Sequence, residues 1–547
     1  MKLNYKRTIL VGFAFFLISA FWQAYDAIVP LILTNHYGLE QDVSGVVMSL
    51  DNILALFMLP LFGALSDKIA TKWGKRTPFI FVGTILAVVM FVSLSFVDNG
   101  QLKKVTSTPE EAGYESVEQL AANTVELANK IYKLDDKELN QIYKDEAEAI
   151  IKLTDAKTIP EQYAAADSFR DSTYKLIKQA KHTENRELEN FAEKQLKIVD
   201  ELFEDIEKAT YKITKSNVGS IVGFAIVLLL VLVSMAIFRS PAVALMPDVT
   251  IKPLRSKGNA IINLMGVFGG ILVLVLGMVF GTGSPQKSLM NYTVFFTVVA
   301  LCMFTALAIF LLKVNEPKLV EEMHKESREL GIDEEEKESG AKEGKLSRPE
   351  FRSLIFILMS VVFWYMGYNA ITSKYSVYAG AVLQLDYNMT LIIAQAAALI
   401  AFVPVGMIAS KIGRRKTILI GVACLTTAVA LGSLFRAGAN ILLVDGIFIL
   451  AGIGWATINV NSYPMVVELA SSGNVGKYTG FYYTASMAAQ TLTPMLSGFF
   501  MDKLGMRTLF PYAAIFVGLS FVTMLFVRHG DSRPVAKKPG LEDLDVD

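Results

Sequence analysis

The chain has few of the side chains that most enzymes use for nucleophilic, acid–base or metal chemistry. Only four histidines and two cysteines occur in 547 residues. Cys302 and Cys424 both lie within long apolar runs, so the sequence predicts no disulfide framework. No histidine stands in a catalytic pattern with a serine or cysteine, and no G-x-x-x-x-G-K-[ST] loop is present for a nucleotide. The sequence therefore predicts neither an enzyme nor a bound cofactor or metal.

Net charge is also lacking, but this balance conceals an asymmetry. The 52 basic and 52 acidic residues give a formal net charge of zero. Residues 98–216 contain 25 acidic and 18 basic side chains, a net charge of −7, and the rest of the chain carries +7. The positive excess falls mainly on alternate loops between the apolar runs, which places both termini in the cytoplasm. These basic residues set topology, so we expect no nucleic-acid partner.

Long apolar runs are abundant. Hydrophobic residues make up 53% of the chain, and the mean hydropathy is +0.42. A bilayer core of about 30 Å requires about 20 apolar residues per helix. Twelve such runs occur, at 8–34, 42–62, 78–97, 217–238, 258–281, 290–312, 352–373, 385–409, 417–435, 440–466, 479–500 and 508–527. The sequence therefore predicts an integral multi-pass protein of the cell membrane, with the lipid bilayer as its surroundings.

The twelve runs divide into two sets of six. Residues 1–97 and 217–314 are predicted to form the first half, and residues 351–528 the second. A charged cytoplasmic linker, 315–350, separates them, and a cytoplasmic tail follows at 529–547. The linker is too polar to pack as a domain, so we expect a mobile segment or a surface helix. The predicted fold class is all-α, with twelve membrane helices in two six-helix halves.

Residues 98–216 interrupt the first half and are predicted to form an extracytoplasmic insertion, outside the cell. Their apolar residues recur at helical spacing, and Pro109 and Pro160 break the pattern. We expect three or four amphipathic helices, with the last one continuous with the fourth span. His182 is the only histidine there, which is too little for a metal site. We interpret the insertion as a small helical cap; the alternative is a docking or substrate-capture module for an unknown partner.

One short loop between the second and third runs carries the most informative motif, GALSDKIATKWGKR at 63–76. Gly63 and Gly74 permit a tight turn and close backbone approach. Asp67 can accept hydrogen bonds or pair with an arginine. Lys75 and Arg76 keep the loop at the cytoplasmic surface. We therefore predict a latch built around Asp67.

A degenerate copy of this loop follows the eighth run, GMIASKIGRRK at 406–416. It keeps Gly413, Arg414 and Arg415, but Ser410 stands in place of the acid. The first loop resembles the one between helices two and three of the major facilitator superfamily of transporters. A repeated loop is expected of that duplicated fold. The resemblance implies that both loops belong to a cytoplasmic gate, with the stronger role in the first copy.

Two carboxylates lie inside apolar runs, where an ionisable group costs several kcal/mol and is a functional candidate for that reason. Asp26 is in the first run and Asp51 is in the second. A carboxylate in an apolar setting binds a proton more readily than one in water. We predict that Asp26 and Asp51 couple proton movement to the function of the chain, with Asp26 the first candidate. The alternative for each is a hydrogen bond that packs helices.

Aromatic and amide side chains near these acids are typical of a sugar site. An indole ring can stack on the apolar face of a sugar, while amides and carboxylates bond to its hydroxyl groups. Pro-weakened helices with polar side chains suit a wet cavity. The predicted cavity residues are Trp22, Gln23, Tyr25, Asn52, Tyr368, Asn369, Lys374, Trp455, Asn459 and Gln490. For Lys374 we favour the membrane interface over the cavity, and for the amides, hydrogen bonds between helices are an equal alternative.

Three segments resemble plant sucrose transporters and the related animal proton-associated sugar transporters: RSPAVALMPD at 239–248 with Asn259-Ala260, KRTPFI at 75–80, and the run from GKYTG at 476–480 to Pro494. Val243 stands where that family has an arginine linked to substrate binding. Arg239 lies one helical turn earlier and is the candidate substitute. We assign Arg239 and Asp248 to the cytoplasmic gate motif.

The resemblance implies a secondary transporter that works by alternating access. The expected cargo is a neutral sugar or glycoside carried inward with a proton, since few cationic side chains are available for an anion. Two alternatives stay open. One is a facilitator of another small solute, such as a drug, an amino acid or an organic acid. The other is a non-transporting membrane receptor that binds its ligand with the outer insertion.

Overall fold

The computed structural model describes residues 4–530 except for 70, 109–111, 133, 135, 252–254, 285–288, 330–346, 468 and 470–474. Within these residues the chain forms seventeen α-helices, which we number in order. Asn4 caps the first of them by accepting a hydrogen bond from the Arg7 backbone N–H.

The first half of the protein contains six long helices. They are α1 (Tyr5–Leu31), α2 (Gln41–Lys68), α3 (Thr77–Ser107), α8 (Val218–Asp248), α9 (Arg255–Phe280) and α10 (Thr293–Lys313). The second half contains α12 (Arg348–Tyr378), α13 (Tyr387–Ile412), α14 (Arg414–Gly432), α15 (Ile441–Val467), α16 (Val475–Leu504) and α17 (Leu509–Leu525). The insertion comprises α4 (Tyr114–Ile131), α5 (Lys137–Asp155), α6 (Ile159–His182) and α7 (Arg186–Ser216), and the linker contains α11 (Glu316–Glu329).

The two halves repeat one packing pattern. In the first half α1 packs on α9 and α10, α3 packs on α8 and α10, and α2 packs on α8. In the second half α12 packs on α16 and α17, α14 on α15 and α17, and α13 on α15. Each contact thus has a counterpart in the other half. The halves meet through the corresponding pairs α2–α16 and α9–α13, and through α1–α12.

The repeat extends to a local irregularity. A π-helical turn, Ile32–His36, follows α1, and a second one, Ala379–Leu383, follows α12. These turns lie at the ends predicted to face outside, which we call the outer ends. A π-helical turn thus occurs at the same place in both halves. This agrees with the duplication that the two glycine-rich loops indicate.

Ten helices of the described chain are long and apolar enough to cross a membrane. The two other predicted runs correspond to α13, of which Tyr387–Phe402 is a shorter apolar segment, and to α16. The predicted all-α fold with two six-helix halves is confirmed. The third apolar run is predicted to end at residue 97, but helix α3 continues to Ser107. Its last turns therefore extend beyond the apolar segment.

The insertion is a bundle of four helices. Helices α4 and α7 pack on each other, and α5 and α6 complete the ring. The helical spacing places Leu120, Phe169, Val199, Leu202 and Ile206 in its core. Only Asn217 separates α7 from α8, which agrees with the expected continuity. One apolar residue of α4, Val125, lies outside this core and is 64% exposed.

Helix α7 is fixed to the outer end of the first half. The Thr214 hydroxyl donates to the carbonyl of Tyr37 over 2.9 Å and accepts from Gln101 Nε2 over 2.8 Å. Below this contact, His36 Nδ1 and Asp98 Oδ1 lie 2.7 Å apart and are almost fully buried. The insertion therefore packs rigidly on the α1–α2 turn.

Candidate functional site

A cavity of about 160 Å³ lies between the two halves. It is lined from the first half by Trp22, Asp26, Met48, Asp51, Asn52 and Arg239, and from the second half by Asn369, Thr372, Ser373, Gln490 and Pro494. Helices α1, α2 and α8 thus face α12 and α16 across it. The structure brings both predicted proton-coupling acids and four of the ten predicted cavity residues to one place.

Helical spacing explains how the acids reach the cavity. Trp22 and Asp26 are four residues apart on α1, so their side chains lie on one face. Asp51 lies in the middle of α2, where its Oδ1 accepts a hydrogen bond from Asn52 Nδ2 over 2.7 Å. Both carboxylates are only partly exposed, and they face the cavity between the halves rather than lipid.

Arg239, which the sequence assigns to the gate motif and also offers as a substitute for a substrate-binding arginine, lines this cavity. Its guanidinium carbon lies 5.3 Å from the centre of the Trp22 ring, within the range of a cation–π interaction. It also interacts electrostatically with Asp26 and Asp51. Two carboxylates facing one guanidinium leave a net charge of −1 when both are ionised, so one bound proton neutralises the group.

The remaining predicted aromatics of the second half form a cluster outside the cavity lining. The rings of Tyr368 and Trp455 stack with centroids 3.5 Å apart. The Tyr365 ring meets Trp455 edge-on, and its hydroxyl lies 3.4 Å from that of Tyr482. Asn459 is exposed on the same helix as Trp455. These side chains support α12, which carries Asn369 and Thr372 into the cavity.

Three other predicted cavity residues have different partners. Gln23 Oε1 accepts a hydrogen bond of 2.6 Å from Gln395 Nε2, which joins α1 to α13 of the other half. Tyr25 is fully buried against Phe21 and Trp22. Lys374, which we favoured at the membrane interface, is fully buried, and its Nζ donates 2.7 Å to the Gln41 carbonyl. It lies at the outer junction of the two halves.

The predicted latch lies at the opposite end of the first half. Arg76 Nη2 is 2.5 Å from Asp67 Oδ1, and Arg76 Nε is 2.8 Å from Asp248 Oδ2. Arg76 Nη1 also donates to the hydroxyl of Ser66. Gly74 has a φ of +108°, which a residue with a Cβ rarely adopts. Arg76 thus connects α2, α3 and α8, the three helices that meet at this loop.

A residue that the sequence did not point to completes this loop. Glu316, at the start of α11, accepts hydrogen bonds from the backbone N–H groups of Lys75, Arg76 and Thr77 at 2.6–3.0 Å. Helix α3 has no side-chain cap of its own. The buried Glu316 carboxylate therefore caps α3 from about 240 positions away.

In the second copy of the loop, two arginines reach backbone carbonyls. Arg415 Nη2 donates 2.7 Å to the carbonyl of Leu525, and Arg414 Nη1 lies 3.5 Å from that of Pro464. Gly413 has a φ of +91° at the turn. Ser410, whose side chain lies outside the described atoms, replaces the acid in sequence. The two copies thus share a glycine turn with positive φ.

Hydrogen bonds between the halves, in the part of the chain that the structure describes, lie at the outer ends or the middle of the helices. At the outer ends Lys374 reaches Gln41, and the hydroxyls of Thr282 and Tyr387 are 2.8 Å apart. At mid-height Gln23 bonds to Gln395. The outer ends are therefore the closed side of the cavity.

Sequence reasoning missed Met48, Thr372, Ser373 and Pro494 as lining residues. Met48 and Pro494 carry no charge or hydrogen-bonding side chain, and Thr372 and Ser373 resemble any hydroxyl residue that bonds to its own helix. They are identified only by the orientation of α2, α12 and α16 toward the cavity. Their proximity to Asn52, Asn369 and Gln490 in sequence was the one available signal.

Comparison with known proteins agrees with this architecture. The family model described as Major Facilitator Superfamily matches residues 216–487 and 388–544, and the one described as MFS/sugar transport protein matches residues 10–101. No curated protein sequence matches the chain.

Among solved structures, the inward-open xylose transporter XylE from E. coli is 12% identical, with a TM-score of 0.57 over 99% of each chain. A D-xylose-proton symporter is 12% identical, with a TM-score of 0.58 over 96% of this chain and 99% of that one. A POT family transporter crystallised with a thioalcohol-conjugated peptide is 10% identical, with a TM-score of 0.56 over 95% of each chain. At these identities the likeness is one of fold.

Proposed function

The chain belongs to the major facilitator superfamily of membrane transporters, and we propose that it carries a neutral sugar or glycoside inward together with a proton. The observation that supports this proposal above all others is that Asp26, Asp51 and Arg239 line one cavity between the two halves. A binding site at this junction is what alternating access requires, since rocking of the halves exposes it to either side in turn.

Proton coupling follows from the charge of the cavity. With both acids ionised, the group of two carboxylates and one guanidinium carries one uncompensated negative charge away from water, which is unfavourable. A proton bound at Asp26 or Asp51 removes it. The loaded, neutral cavity then lets the halves reorient, and release of the proton to the cytoplasm resets the carrier.

The remaining lining suits a neutral polyhydroxy compound. Trp22 offers an aromatic edge, and the amides of Asn52, Asn369 and Gln490 can donate and accept hydrogen bonds with hydroxyl groups. The single cation of the described lining, Arg239, already interacts electrostatically with two acids. An anionic substrate would have to compete with both carboxylates for it.

Purified protein in proteoliposomes tests the proposal. A panel of labelled mono- and disaccharides is offered with and without an inward proton gradient, and we expect gradient-driven accumulation of at least one sugar. Asp26→Asn and Asp51→Asn each remove one carboxylate; at least one variant should exchange labelled for unlabelled sugar but fail to accumulate it. Asp155→Asn, at an exposed position of the insertion, is the matched control.

The outcomes separate the alternatives. Gradient-independent uptake by the native protein would remove the proton from the proposal. Accumulation that persists in both acid variants would refute their role in coupling. Transport of an amino acid, organic acid or drug, with no sugar of the panel accepted, would refute the proposed cargo. The proposed carrier mechanism would be unaffected.

A further inference from the structure

Helix α2 begins at the outer surface without a cap from its own segment. Glu40 is its N-cap residue, and that side chain makes no capping hydrogen bond. The carboxylate of Asp502, near the end of α16 in the other half, takes its place. Asp502 accepts from the Gln41 N–H over 2.9 Å and from the Asp42 N–H over 2.7 Å. An anion at a helix N-terminus is stabilised by the unpaired N–H groups and by the helix dipole.

The same turn is held from a third helix. Lys374 on α12 is fully buried, and its Nζ donates to the Gln41 carbonyl over 2.7 Å and to Gln41 Oε1 over 3.2 Å. The amide of Gln41 in turn donates to the hydroxyl of Thr34 over 3.1 Å. A buried ammonium group needs such acceptors, because burial without them is costly. Gln41 is thus bound on both sides by residues of the second half.

Glycines allow the backbones to meet at this point. A Cβ atom on Gly45 would overlap the carbonyl of Pro494, and one on Gly498 would overlap the carbonyl of Gln41. Gly498 and Asp502 are four positions apart, the same spacing as Gly63 and Asp67 in the cytoplasmic loop. Helices α2 and α16 therefore touch directly along their outer turns.

This contact closes the substrate cavity. Pro494 lines the cavity and also meets Gly45, and Thr372 and Ser373, which directly precede Lys374 in α12, line it as well. All three helices carry cavity residues just inside the contact. Between the cavity and the outside stand the bonds of Gln41 and Asp42 to Lys374 and Asp502.

We propose that Lys374 and Asp502 form the outer gate of the transport pathway, as positioning residues that release the first turn of α2 when the cavity opens outward. The inference rests on the proposed alternating-access function but not on the identity of the cargo. Opening breaks the two capping hydrogen bonds of Asp502 and the two hydrogen bonds of the buried Lys374 ammonium group, which then gains access to water.

Thiol labelling of the full-length protein tests the gate without any substrate. Cys302 and Cys424 are replaced by serine, and Thr372→Cys places one reporter thiol in the cavity. A membrane-impermeant maleimide is applied to intact cells and, separately, to inside-out vesicles. We expect the otherwise native protein to react mainly from the inside. Asp502→Asn and Lys374→Met should each raise the rate of labelling from the outside, by about fivefold for the loss of one cap.

Lys503→Gln, next to Asp502 and likewise exposed, is the matched control and should leave the rate unchanged. Gly45→Ala keeps every charge and separates α2 from α16, so it should raise outside labelling even if the charge variants fail to fold. Unchanged outside labelling in Gly45→Ala and in the folded charge variants would overturn the gate. Faster labelling in a protein that carries no sugar would uphold the gate and overturn only the cargo.

Discussion

Arg239 lies over the indole ring of Trp22, with 5.3 Å between the guanidinium carbon and the ring centre. One residue comes from α8 and the other from α1, and both line the cavity that also holds Asp26 and Asp51. The only cation of the described lining thus lies against an aromatic ring and interacts electrostatically with two carboxylates. Its charge compensates one of these two acids, and several measurable consequences follow from this placement and from acids elsewhere in the structure.

Loss of the Arg239 charge should disable the site. Arg239→Gln leaves two buried carboxylates without their counter-ion and removes the cation–π contact, so we expect uptake to fall by about tenfold or more. Arg239→Lys keeps the charge and should retain part of the activity. Initial rates of uptake in proteoliposomes measure the effect, with the exposed Arg186→Gln as control. Native rates in Arg239→Gln would show that the guanidinium is not needed.

The cap that Glu316 places on α3 should contribute to stability. Glu316→Gln removes a charge that accepts from three backbone N–H groups and the Thr77 hydroxyl. We expect the free energy of unfolding to fall by about 1–3 kcal/mol. Thermal unfolding in detergent measures it against Glu321→Gln, an exposed position on the same helix. Equal melting temperatures for the two variants would contradict the assigned cap.

The insertion should lose stability at high pH because of Glu146. Its fully buried carboxyl accepts 3.3 Å from Gln195 Nε2 and 3.5 Å from the Thr173 hydroxyl, and burial raises its pKa to about 8. A carboxyl group whose pKa is higher in the folded state stabilises that state below the unfolded pKa of about 4.3. This contribution is lost as the pH rises through about 8.

Glu146→Gln keeps the shape of the neutral acid and cannot ionise. Hydrogen exchange in α5, α6 and α7, corrected for intrinsic rates, should show the variant protected by about 2–4 kcal/mol more than the native protein at pH 9. The two should be similar at pH 5. The exposed Glu148→Gln should match the native protein at both values. Identical protection of Glu146→Gln and native protein at pH 9 would exclude the buried charge.

Removal of most of the insertion should leave a working carrier. Gln101 and Thr214 are joined by a 2.8 Å hydrogen bond, so the flanking helices α3 and α7 already lie side by side. Replacing residues 104–211 with a short Gly/Ser linker keeps this bond and the cavity. We expect cargo uptake to persist at a reduced rate. Complete loss of uptake together with loss of cargo binding, in a variant that remains folded, would favour the receptor alternative.

The cytoplasmic loop shows which contacts a local motif can predict and which it cannot. The spacing of Gly63, Asp67 and Arg76 predicted a latch, and the structure places Arg76 between Asp67 and Asp248. The cap by Glu316 had no comparable signal, because nothing in the linker relates it to residues 75–77. A motif predicts contacts between residues that are close in sequence. A cap from a distant segment produces no regular spacing in the sequence by which it could be predicted.

Arg239 and Lys374 also show that local sequence does not determine the surroundings of a side chain. Both were recognised as charges in or near apolar runs. Arg239 was assigned to the gate motif and also offered as a substitute for a substrate-binding arginine, and Lys374 was favoured at the interface; the structure places Arg239 in the cavity and buries Lys374. Even when the residues of a helix are known, its rotation about its own axis and the helices next to it remain to be determined. Its neighbours determine whether a given face meets lipid, a gate or a cavity.

The sequence by itself determined the membrane helices, the duplicated halves and the amphipathic insertion, since hydropathy and the 3.6-residue period are properties of contiguous segments. It also marked Asp26 and Asp51 as costly charges that required a reason. Only the tertiary structure decided that these two acids share one cavity with Arg239, and that Asp502 and Glu316 cap helices far from them in sequence. Those relationships depend on how helices from distant parts of the chain face one another, which local patterns do not encode.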